Sequence, residues 1–297
     1  MTQVIVGLDV GGTKTAVVVE TLDGVRLVDT TVASTDWDAE PLDYGVGWII
    51  ALLQDQVPDG AEIVGIGIGA QGLDSDTITA EFSTALAAAG YPTVAVNDAA
   101  LLPAAAGSPD GIGIISGTGS IGVGRSADGR SLITGGWGWV IGDEAGAAGI
   151  LREATRAALW AHDEGHDDDG LLAALTDAFG VDGAERLARA VNDEPTMHNW
   201  GPRAPAVFAA ADAGSALAAA VIDGAAANLA ALVNQLLSRG AVGSSVVAAG
   251  SVIVNQPRLF AAFAAAVAAQ HPELVVHLLR EPPVTGALAL ARSLVHP

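Results

Sequence analysis

The sequence predicts an α/β fold made of two related halves. Short runs of apolar and β-branched residues alternate with longer runs in which apolar residues recur at helical spacing, as in mixed strands and helices. Two regions, 4–19 and 112–124, also share one device, in which a strand, a turn of small residues and a second strand follow each other. A device that recurs in this way indicates two similar units that face one ligand.

The first half of the chain is predicted as three strands followed by helices that alternate with single strands. The opening strands are expected to form a meander, because Asp23-Gly24 is a hairpin signal between the second and the third. A helix is favoured over 41–57 because apolar residues recur there at helical spacing. The predicted strands cover 4–8, 15–20, 26–33, 63–69 and 92–96, and the predicted helices cover 41–57, 82–89 and 99–106.

The second half begins in the same way, with three strands and Asp128-Gly129 as another hairpin turn. It then departs from the repeat, because residues 144–161 carry an apolar helical face and further helices follow. The segment HDEGHDDDG at 162–170 resembles a metal-binding tract, but its glycines and acidic run favour a solvated loop. The predicted strands cover 111–115, 121–125, 131–134, 246–249 and 275–279, and the predicted helices cover 144–161, 171–179, 184–191, 205–238, 257–270 and 283–295.

The composition favours a soluble, cytoplasmic enzyme with two domains of ordinary size. At 297 residues, of which 51% are hydrophobic, the chain can bury a substantial core. The formal net charge of -21 argues against a nucleic-acid partner and an acidic membrane surface, since both need clustered Lys and Arg. The absence of cysteine excludes disulfides and cysteine-held zinc or iron–sulfur sites. We expect neither a leader peptide nor a membrane span, because 1–3 lacks basic residues and the uncharged run 240–257 is broken by Gly, Ser, Asn and Pro.

An acidic residue follows an apolar strand at two places. Asp9 ends the first strand, and Asp98 follows the strand over 92–96. Ligands of open α/β sheets bind at the carboxyl ends of strands, so both carboxylates are candidate functional groups. The alternative for Asn97 and Asp98 is helix capping, because either side chain suits an N-cap.

Two turns of small residues are candidate phosphate-binding loops. Residues 11–13 follow Asp9, and residues 116–120 join two predicted strands as SGTGS. Glycines let the backbone approach a phosphate closely, and the amide and hydroxyl groups are neutral donors. The turn at 11–13 is neither a Walker A loop nor a G-x-G-x-x-G that opens a helix. For the turn at 116–120 taken alone, an ordinary Gly-rich hairpin is the alternative.

Four motifs in a fixed order carry a family resemblance: DVGGTKT at 9–15, NDA at 97–99, SGTGS at 116–120, and GGWGW through GDE at 135–144. In these motifs the chain resembles the N-acetylglucosamine kinase branch of the BadF-type ATPase family, within the actin, Hsp70 and sugar kinase superfamily. The resemblance covers nearly the whole chain. It departs from the family pattern after Glu144, where Ala145-Gly146 stands in place of the usual Gly-Ser.

The resemblance implies an α/β fold of two ribonuclease H-like (actin-like ATPase) domains with a nucleotide cleft between them. We expect an N-terminal domain over 1–104 and a C-terminal domain over 105–283 with a helical insertion over 144–240. The closing helix, 284–297, is expected to pack back on the first domain, with 285–287 as a second hinge. A homodimer is expected from the resemblance alone.

The implied activity is ATP-dependent phosphorylation of the 6-hydroxyl of an amino sugar, with N-acetylglucosamine favoured. Phosphoryl transfer to a hydroxyl needs a base, neutral donors around the phosphates, and Mg²⁺. We predict Asp98 as the catalytic base and Asp9 as the Mg²⁺ ligand. The other predicted contacts are Gly11, Gly12, Thr13, Lys14, Gly117, Thr118 and Gly119 for the phosphates, Gly250 and Ser251 for the adenosine, and Asp36, Asn97, Gly136, Trp137, Asp143 and Glu144 for the sugar.

Several alternatives stay open at this point. Asp36 lies in the loop where the family places a small polar residue near the 2-substituent of the sugar, and its charge would favour the ammonium group of glucosamine. Lys14 can point to solvent instead of a phosphate, and Trp137 and Trp139 can pack in a core instead of lining a pocket. An actin-like ATPase without a sugar pocket and a sugar-binding regulator without catalysis are the readings from other classes.

Overall fold

The computed structural model describes residues 2–108 and 110–295, and two β-sheets organise them. The first sheet has the strand order β3-β2-β1-β4-β5, and the second has the order β11-β10-β6-β7-β8, with β9 paired to β7. The strands of the first sheet are β1 Thr2–Val10, β2 Lys14–Thr21, β3 Arg26–Ala33, β4 Ala61–Ala70 and β5 Thr93–Asn97. Those of the second are β6 Ile112–Ser116, β7 Ser120–Ser126, β8 Ser131–Gly135, β9 Ala241–Val242, β10 Ser245–Ala249 and β11 Val275–Leu278.

The helices lie mostly after the second meander. Two short 3₁₀ turns, Asp98–Ala100 and Gly201–Arg203, precede helices directly. The helices are α1 Leu42–Gln56, α2 Asp76–Ala88, α3 Leu101–Ala105, α4 Ala147–Asp163, α5 Leu171–Phe179, α6 Gly183–Asp193, α7 Met197–Trp200, α8 Pro205–Asp212, α9 Ala216–Ser238, α10 Ser251–Asn255, α11 Pro257–Gln270 and α12 Val284–Val295.

Both sheets have the same connectivity. In the first sheet β1, β2 and β3 pair as an antiparallel meander, and β4 and β5 add in parallel on the other side of β1. In the second sheet β6, β7 and β8 form the meander, and β10 and β11 add in parallel beside β6. The expectation of an α/β fold with two related units is therefore confirmed.

Apolar helix faces cover both sides of the first sheet. Helices α1 and α2 bury Ile49, Leu53 and Phe82 against the strands on one face. On the other face α12, from the carboxyl end of the chain, packs Val284 and Leu288 against the sheet. The sheet is thus covered by helices on both faces, one of them from the carboxyl end of the chain. The last two residues of the predicted closing helix lie outside the described residues.

Glycines let α12 approach the sheet closely. A Cβ at Gly65 would lie 2.8 Å from the carbonyl oxygen of Ala291, and one at Gly67 would overlap the carbonyl oxygen of Ala287. Such contacts are shorter than real Cβ atoms make, so strand β4 needs glycine where the helix crosses it.

The helices of the second half form one large core with their sheet. The longest of these helices is α9. Among the described residues it is the one helix that is long and apolar enough to span a membrane, by length and composition only. Its residues Ile222, Leu229 and Val233 are fully buried in that core, against α4, α11 and the second sheet. The burial of these side chains is what a core helix requires.

The junction between the sheets is the turn at 98–100 together with α3. The turn contacts β4 on one side and β6 and β7 on the other. Gly113 of β6 lies directly on the carbonyl oxygen of Ala99, where a Cβ would overlap it. The residue after strand β5 is therefore held by both sheets at once.

Element boundaries differ from the predictions in a few places. Helix α2 begins at Asp76 because the Ser75 hydroxyl accepts a hydrogen bond from the Ile78 amide (3.2 Å) and caps it. Helix α4 begins at Ala147 instead of 144, since 143–146 form a turn. The short elements α7, β9 and α10 have no predicted counterpart.

Candidate functional site

Three parallel strands of the first sheet end side by side at one edge. Strand β4 lies between β1 and β5, and its residue Ala70 is in register with Val10 and with Asn97. The residues at or just beyond this edge are Asp9, Gln71 and Asp98. Two predicted functional carboxylates therefore lie at the same end of the sheet, with a glutamine between them.

Asp98 and Asp9 both sit in surroundings that disfavour their charge. Burial raises the pKa of Asp98 to about 7, and the charges of Asp9 and Asp74 add to this effect. Burial also raises the pKa of Asp9 to about 6, although the nearby Lys14 ammonium opposes the change. A carboxyl group with a pKa near neutrality is suited to accept a proton at physiological pH.

Asn97 has a structural role that the capping alternative anticipated. Its Oδ1 accepts a hydrogen bond from the Ala99 amide at 3.0 Å, and Asp98 Oδ1 accepts from the same amide at 2.9 Å. The Asn97 amide nitrogen donates to Asp74 Oδ1 at 2.8 Å. Asn97 thus caps the turn that carries Asp98 and ties it to Asp74, a residue that sequence reasoning missed.

The turn at 11–13 leaves donors free beside Asp9. The Gly11 amide closes the turn by donating to the Lys14 carbonyl at 3.1 Å, and the Thr13 carbonyl accepts from the Ser34 amide at 3.1 Å. Within the described chain, the amides of Gly12 and Thr13 and the Thr13 hydroxyl have no hydrogen-bond partner. These groups can bind an anion, as the prediction requires. The Lys14 side chain is exposed, which fits either of its two predicted positions.

The second turn, 117–119, lies at the equivalent place in the second sheet. The Gly117 amide donates to the Gly119 carbonyl at 3.0 Å, and the Gly117 carbonyl accepts from the Ala147 amide at 2.9 Å. A Cβ at Gly117 would lie 3.4 Å from the Ser251 amide, and one at Gly250 would overlap the Ser116 carbonyl oxygen. The predicted phosphate turn and the predicted adenosine turn are therefore neighbours.

Asp143 packs directly on this second turn. A Cβ at Gly119 would lie 2.5 Å from Asp143 Oδ2. The Asp143 backbone has φ 53°, a left-handed conformation that is uncommon outside glycine. The residue is only 8% exposed, and its Oδ1 has no hydrogen-bond partner among the described residues. Burial raises the pKa of Asp143, although the backbone of Ser120 and of Gly138 and the Arg152 charge oppose the change, and Oδ1 is the oxygen left available to a ligand.

The loop at 34–37 is held by three aromatic side chains through their polar atoms. Trp48 donates its indole N–H to the Thr35 carbonyl at 3.1 Å, and Tyr44 donates its hydroxyl to the Asp36 carbonyl at 2.7 Å. Trp37 donates its indole N–H to the Gln71 carbonyl at 3.2 Å. Asp36 itself has φ 60° and an exposed side chain, so its carboxylate is free to meet a ligand.

The two tryptophans of the GGWGW motif differ in environment. Trp139 packs edge-on against Trp200 with ring centroids 4.8 Å apart, so the packing alternative applies to it. Trp137 is 75% exposed and lies between Gly136 and Gly138, both at positive φ. The Glu144 side chain is half-buried beside Asp143.

The structure thus gathers the predicted residues into two clusters. One, on the first sheet, contains the turn at 11–13 with Asp9 and Asp98, and the loop at 34–37 adjoins it. The other, on the second sheet, contains the turns at 117–119 and 250–251 with Asp143 and Glu144. The Asp98 turn contacts both sheets, whereas Asp36 and Trp137 lie exposed at the periphery. The predicted strand over 63–69 ends before Gln71, and no motif of the sequence marks this residue.

The residues at this edge fit a nucleotide-bound Mg²⁺. No three His, Cys, Asp or Glu side chains of the described residues cluster to hold a metal by themselves, including the tract at 162–170. A Mg²⁺ ion that arrives with ATP needs only one or two carboxylates, because phosphates and water supply the other ligands. The raised pKa of Asp9 indicates a carboxylate whose charge a cation would stabilise.

Comparisons with known proteins agree with this geometry. A protein of Clostridium acetobutylicum named N-acetylmuramic acid/N-acetylglucosamine kinase is 32% identical over 171 residues, which are 54% of this chain and 55% of the relative, so the alignment spans about half the length of that protein. A Dictyostelium discoideum protein named N-acetyl-D-glucosamine kinase is 25% identical over 256 residues, 80% of each chain. A solved structure from Chromobacterium violaceum, provisionally named an N-acetylglucosamine kinase, superposes with a TM-score of 0.71 at 24% identity and covers 98% of this chain and 99% of its own.

The family comparison covers more of the chain than either named relative. The model of the BadF/BadG/BcrA/BcrD ATPase family matches residues 6–289, a range that holds both sheets almost completely. This chain therefore belongs to the BadF/BadG/BcrA/BcrD ATPase family.

Proposed function

We propose that this protein is an ATP-dependent kinase that phosphorylates the 6-hydroxyl group of an amino sugar, with N-acetylglucosamine as the first candidate. Membership of an ATPase family implies the use of ATP. The observation that carries the proposal is Asp98, a carboxylate with a pKa raised to about 7 that follows strand β5, at the same sheet edge as Asp9 and the turn at 11–13 with its free amides. The names of the relatives from Clostridium acetobutylicum and Dictyostelium discoideum support an amino sugar as the acceptor.

In the proposed mechanism the protein positions the reactants and accepts one proton. Asp98 takes the proton of the sugar hydroxyl as that oxygen attacks the γ-phosphorus of ATP in line with the leaving ADP. The free amides of the turns at 11–13 and 117–119 donate to the phosphate oxygens. These donors are fixed before the reaction, so they stabilise the developing charge without reorganising.

Asp9 is the proposed ligand of the Mg²⁺ that accompanies ATP. When bound, the ion would neutralise charge on the β and γ phosphates. Lys14 lies close enough to lower the pKa of Asp9 and so keeps the carboxylate ionised. Gly250 and Ser251 are proposed to contact the adenosine.

The sugar is proposed to lie between Asp98 and the second turn. The unpartnered Oδ1 of Asp143 can accept a hydrogen bond from a sugar hydroxyl, and Glu144, Asn97, Gly136 and Trp137 are the other proposed contacts. Water must be excluded from this place, because it would compete as the phosphoryl acceptor. Approach of the two sheets on binding both substrates would exclude it.

Glucosamine is the second candidate acceptor, because Asp36 presents a free carboxylate on the loop at 34–37. An ammonium group at the 2-position would pair with this charge. In an Asp36→Asn variant we expect the ratio of kcat/KM for glucosamine to that for N-acetylglucosamine to fall by about tenfold, the value of one charge-assisted contact. An unchanged ratio would exclude Asp36 from the specificity site.

An ADP-release assay with ATP and Mg²⁺ tests the proposed function directly. The acceptors are N-acetylglucosamine, glucosamine, N-acetylmannosamine, glucose and no sugar. Strong stimulation by one amino sugar, with phosphate found on its 6-position, would support the kinase. Equal slow turnover in every reaction would favour an actin-like ATPase, and sugar binding without turnover would favour a regulator. The homodimer and the cytoplasmic location stay predictions.

A further inference from the structure

Gln71 occupies a central position at the edge of the first sheet. It follows strand β4, which lies between β1, with Asp9 as its penultimate residue, and β5, which Asp98 follows. Its backbone is fixed on both sides, because the amide donates to the Val10 carbonyl at 2.9 Å and the carbonyl accepts from the Trp37 indole at 3.2 Å. Its side chain is exposed to the open edge.

The Gln71 carboxamide lies over the turn at 11–13. A Cβ at Gly12 would lie 2.6 Å from Gln71 Oε1 and 3.7 Å from Nε2, so the side chain fills the space above that glycine. Within the described residues this carboxamide makes no hydrogen bond to the protein. A polar group that is placed by its backbone and left without a partner is available to a ligand.

The ligand at this place would be the terminal phosphate. The free amides of Gly12 and Thr13 belong to this turn. Gln71 follows strand β4, which lies between the strand that precedes the turn and the strand that precedes Asp98. Oε1 is the carboxamide atom nearer to Gly12, and half a turn about the last side-chain bond exchanges it with Nε2. In that orientation the amide N–H suits a phosphoryl oxygen, since it donates without adding charge. Because Asp98 must reach the acceptor hydroxyl, the group between the turn and Asp98 is the one that is transferred.

We propose that the Gln71 carboxamide donates a hydrogen bond to the γ-phosphoryl group of ATP and thereby discriminates ATP from ADP. The inference rests on the proposed function in placing a triphosphate at the turn. It also connects the loop at 34–37 to the nucleotide, because the Trp37 indole donates a hydrogen bond to the Gln71 carbonyl. The indole of Trp37 is itself packed on Trp48 and Phe82, with ring centroids 5.2 and 6.2 Å away.

Binding measurements without sugar test this proposal. The Mg²⁺ complexes of ADP and of the non-hydrolysable β,γ-imido analogue of ATP are titrated by calorimetry into the wild type, Gln71→Ala, Gln71→Glu and the control Gln3→Ala. Gln3 is an exposed glutamine near the opposite end of strand β1. Thermal melting of each variant establishes that it is folded.

We expect Gln71→Ala to weaken binding of the ATP analogue by about tenfold, the usual value of a hydrogen bond to a charged group, while ADP affinity stays within about twofold. Gln71→Glu should weaken the analogue further, because a carboxylate repels the phosphate. Gln3→Ala should change neither affinity. An equal loss for both nucleotides, or no loss for either, would overturn the proposal.

The same proteins separate this inference from the proposed function. If the wild type binds both nucleotides and only the affinity for the ATP analogue depends on Gln71, the proposed contact is supported even when no sugar stimulates ADP release. If sugar stimulates the wild type and the affinity ratio does not depend on Gln71, only the contact is wrong. A wild type that binds neither nucleotide would overturn both.

Discussion

At the scale of single residues, the site is defined by carboxylates that the fold keeps short of partners. Asp98 and Asp9 share one edge of a sheet, and burial raises the pKa of each. Asp143 keeps one oxygen without a hydrogen bond in a strained backbone conformation. Such groups are costly for the folded protein alone and become favourable when a ligand supplies the partner.

Replacing Asp98 by Asn should lower the activity and raise the stability of the folded protein. Loss of the base is expected to lower kcat by about 10² to 10⁴ while ATP still binds. A raised carboxyl pKa means that the folded state binds more protons than the unfolded state between pH 4 and 7, so wild-type stability falls as pH rises through that window.

Asp98→Asn removes this penalty, so at pH 8 its free energy of unfolding should exceed that of the wild type by about 1 to 3 kcal/mol. The gain should vanish below about pH 4, where the carboxyl group is neutral in both states. Urea unfolding at the two pH values measures the difference, with the exposed Asp59→Asn as the control. A variant that keeps nearly full activity would show that another group is the base.

The pH dependence of the wild type should report the same carboxyl group. Asp98 acts as a base only when ionised, so kcat/KM should decline as pH falls through about 7. The cation proposed to bind Asp9 with ATP would stabilise negative charge nearby, so the acidic limb of the kcat profile should lie at lower pH than that of kcat/KM. Rates from pH 5 to 9 test both expectations, and a flat profile above pH 5 would argue against Asp98.

At the scale of elements, the packing of α12 on the first sheet depends on glycine. Gly67→Ala would place a methyl group against the Ala287 carbonyl, which neither backbone can avoid without a shift. We expect the free energy of unfolding to fall by about 2 to 4 kcal/mol, the cost of overpacking between two rigid elements. Denaturant melts measure the loss.

Gly47→Ala is the matched control. Gly47 lies inside α1 with no atom within 4 Å of an added Cβ. There the same substitution should stabilise by about 0.5 to 1 kcal/mol, because alanine loses less entropy in a helix. Similar effects at both positions would mean that the close approach of α12 does not determine stability.

The sequence predicted an element well where the hydrophobic spacing and the residues at the ends of the element agree. Strand Arg26–Ala33 and helices Leu171–Phe179 and Pro257–Gln270 have the predicted bounds, because turn residues or proline stand at their ends. The short helix Ser251–Asn255 was missed, since five residues are too few to display helical spacing. The edge position of Asp9 and Asp98 followed from strand pattern alone.

Other parts of the site could not be predicted from the sequence. No motif marks two of its contacts, because each joins residues far apart in the chain. These are the hydrogen bond between Asn97 and Asp74 and the packing of the Gln71 side chain over Gly12. The left-handed backbone of Asp143 and its unpartnered Oδ1 depend on the packing of α4 against the second turn, which the sequence does not display. The different environments of Trp137 and Trp139 likewise depend on Trp200, which lies in a later helix.

At the scale of the whole molecule, charge should shape the choice of acceptor. The chain carries a net charge of -21, and its one lysine lies beside the turn at 11–13. In the proposed function the acceptor faces Asp36, Asp143 and Glu144. Arg152, whose charge acts on Asp143, is already engaged by Glu153 at 2.8 Å and by carbonyl oxygens. Lys14 is exposed, but it lies near Asp9, beside the turn at 11–13 where the proposal places the phosphates. An acceptor with its own carboxylate would thus meet net repulsion.

N-acetylmuramic acid provides the test, because it differs from N-acetylglucosamine by a lactyl carboxylate. We expect its kcat/KM to be lower by at least about tenfold, equivalent to about 1.4 kcal/mol of repulsion. The gap should narrow at high salt, which screens charge. The methyl ester of N-acetylmuramic acid, which lacks the carboxylate charge, separates repulsion from size. Equal rates for all three acceptors would contradict the expectation.

The common connectivity of the two sheets bears on how such a chain arose. Two units with one strand order in a single chain are what duplicating and joining a half-length ancestor would produce. The parallel strands pair Val10 with Ala70 in the first sheet and Ile115 with Ala249 in the second, so Gln71 after β4 corresponds to Gly250 after β10, and Asp9 on β1 corresponds to Ile114 on β6. At these positions the first unit carries a carboxylate and a carboxamide where the second carries isoleucine and glycine, so under the proposed function the two units would contribute different groups to one reaction.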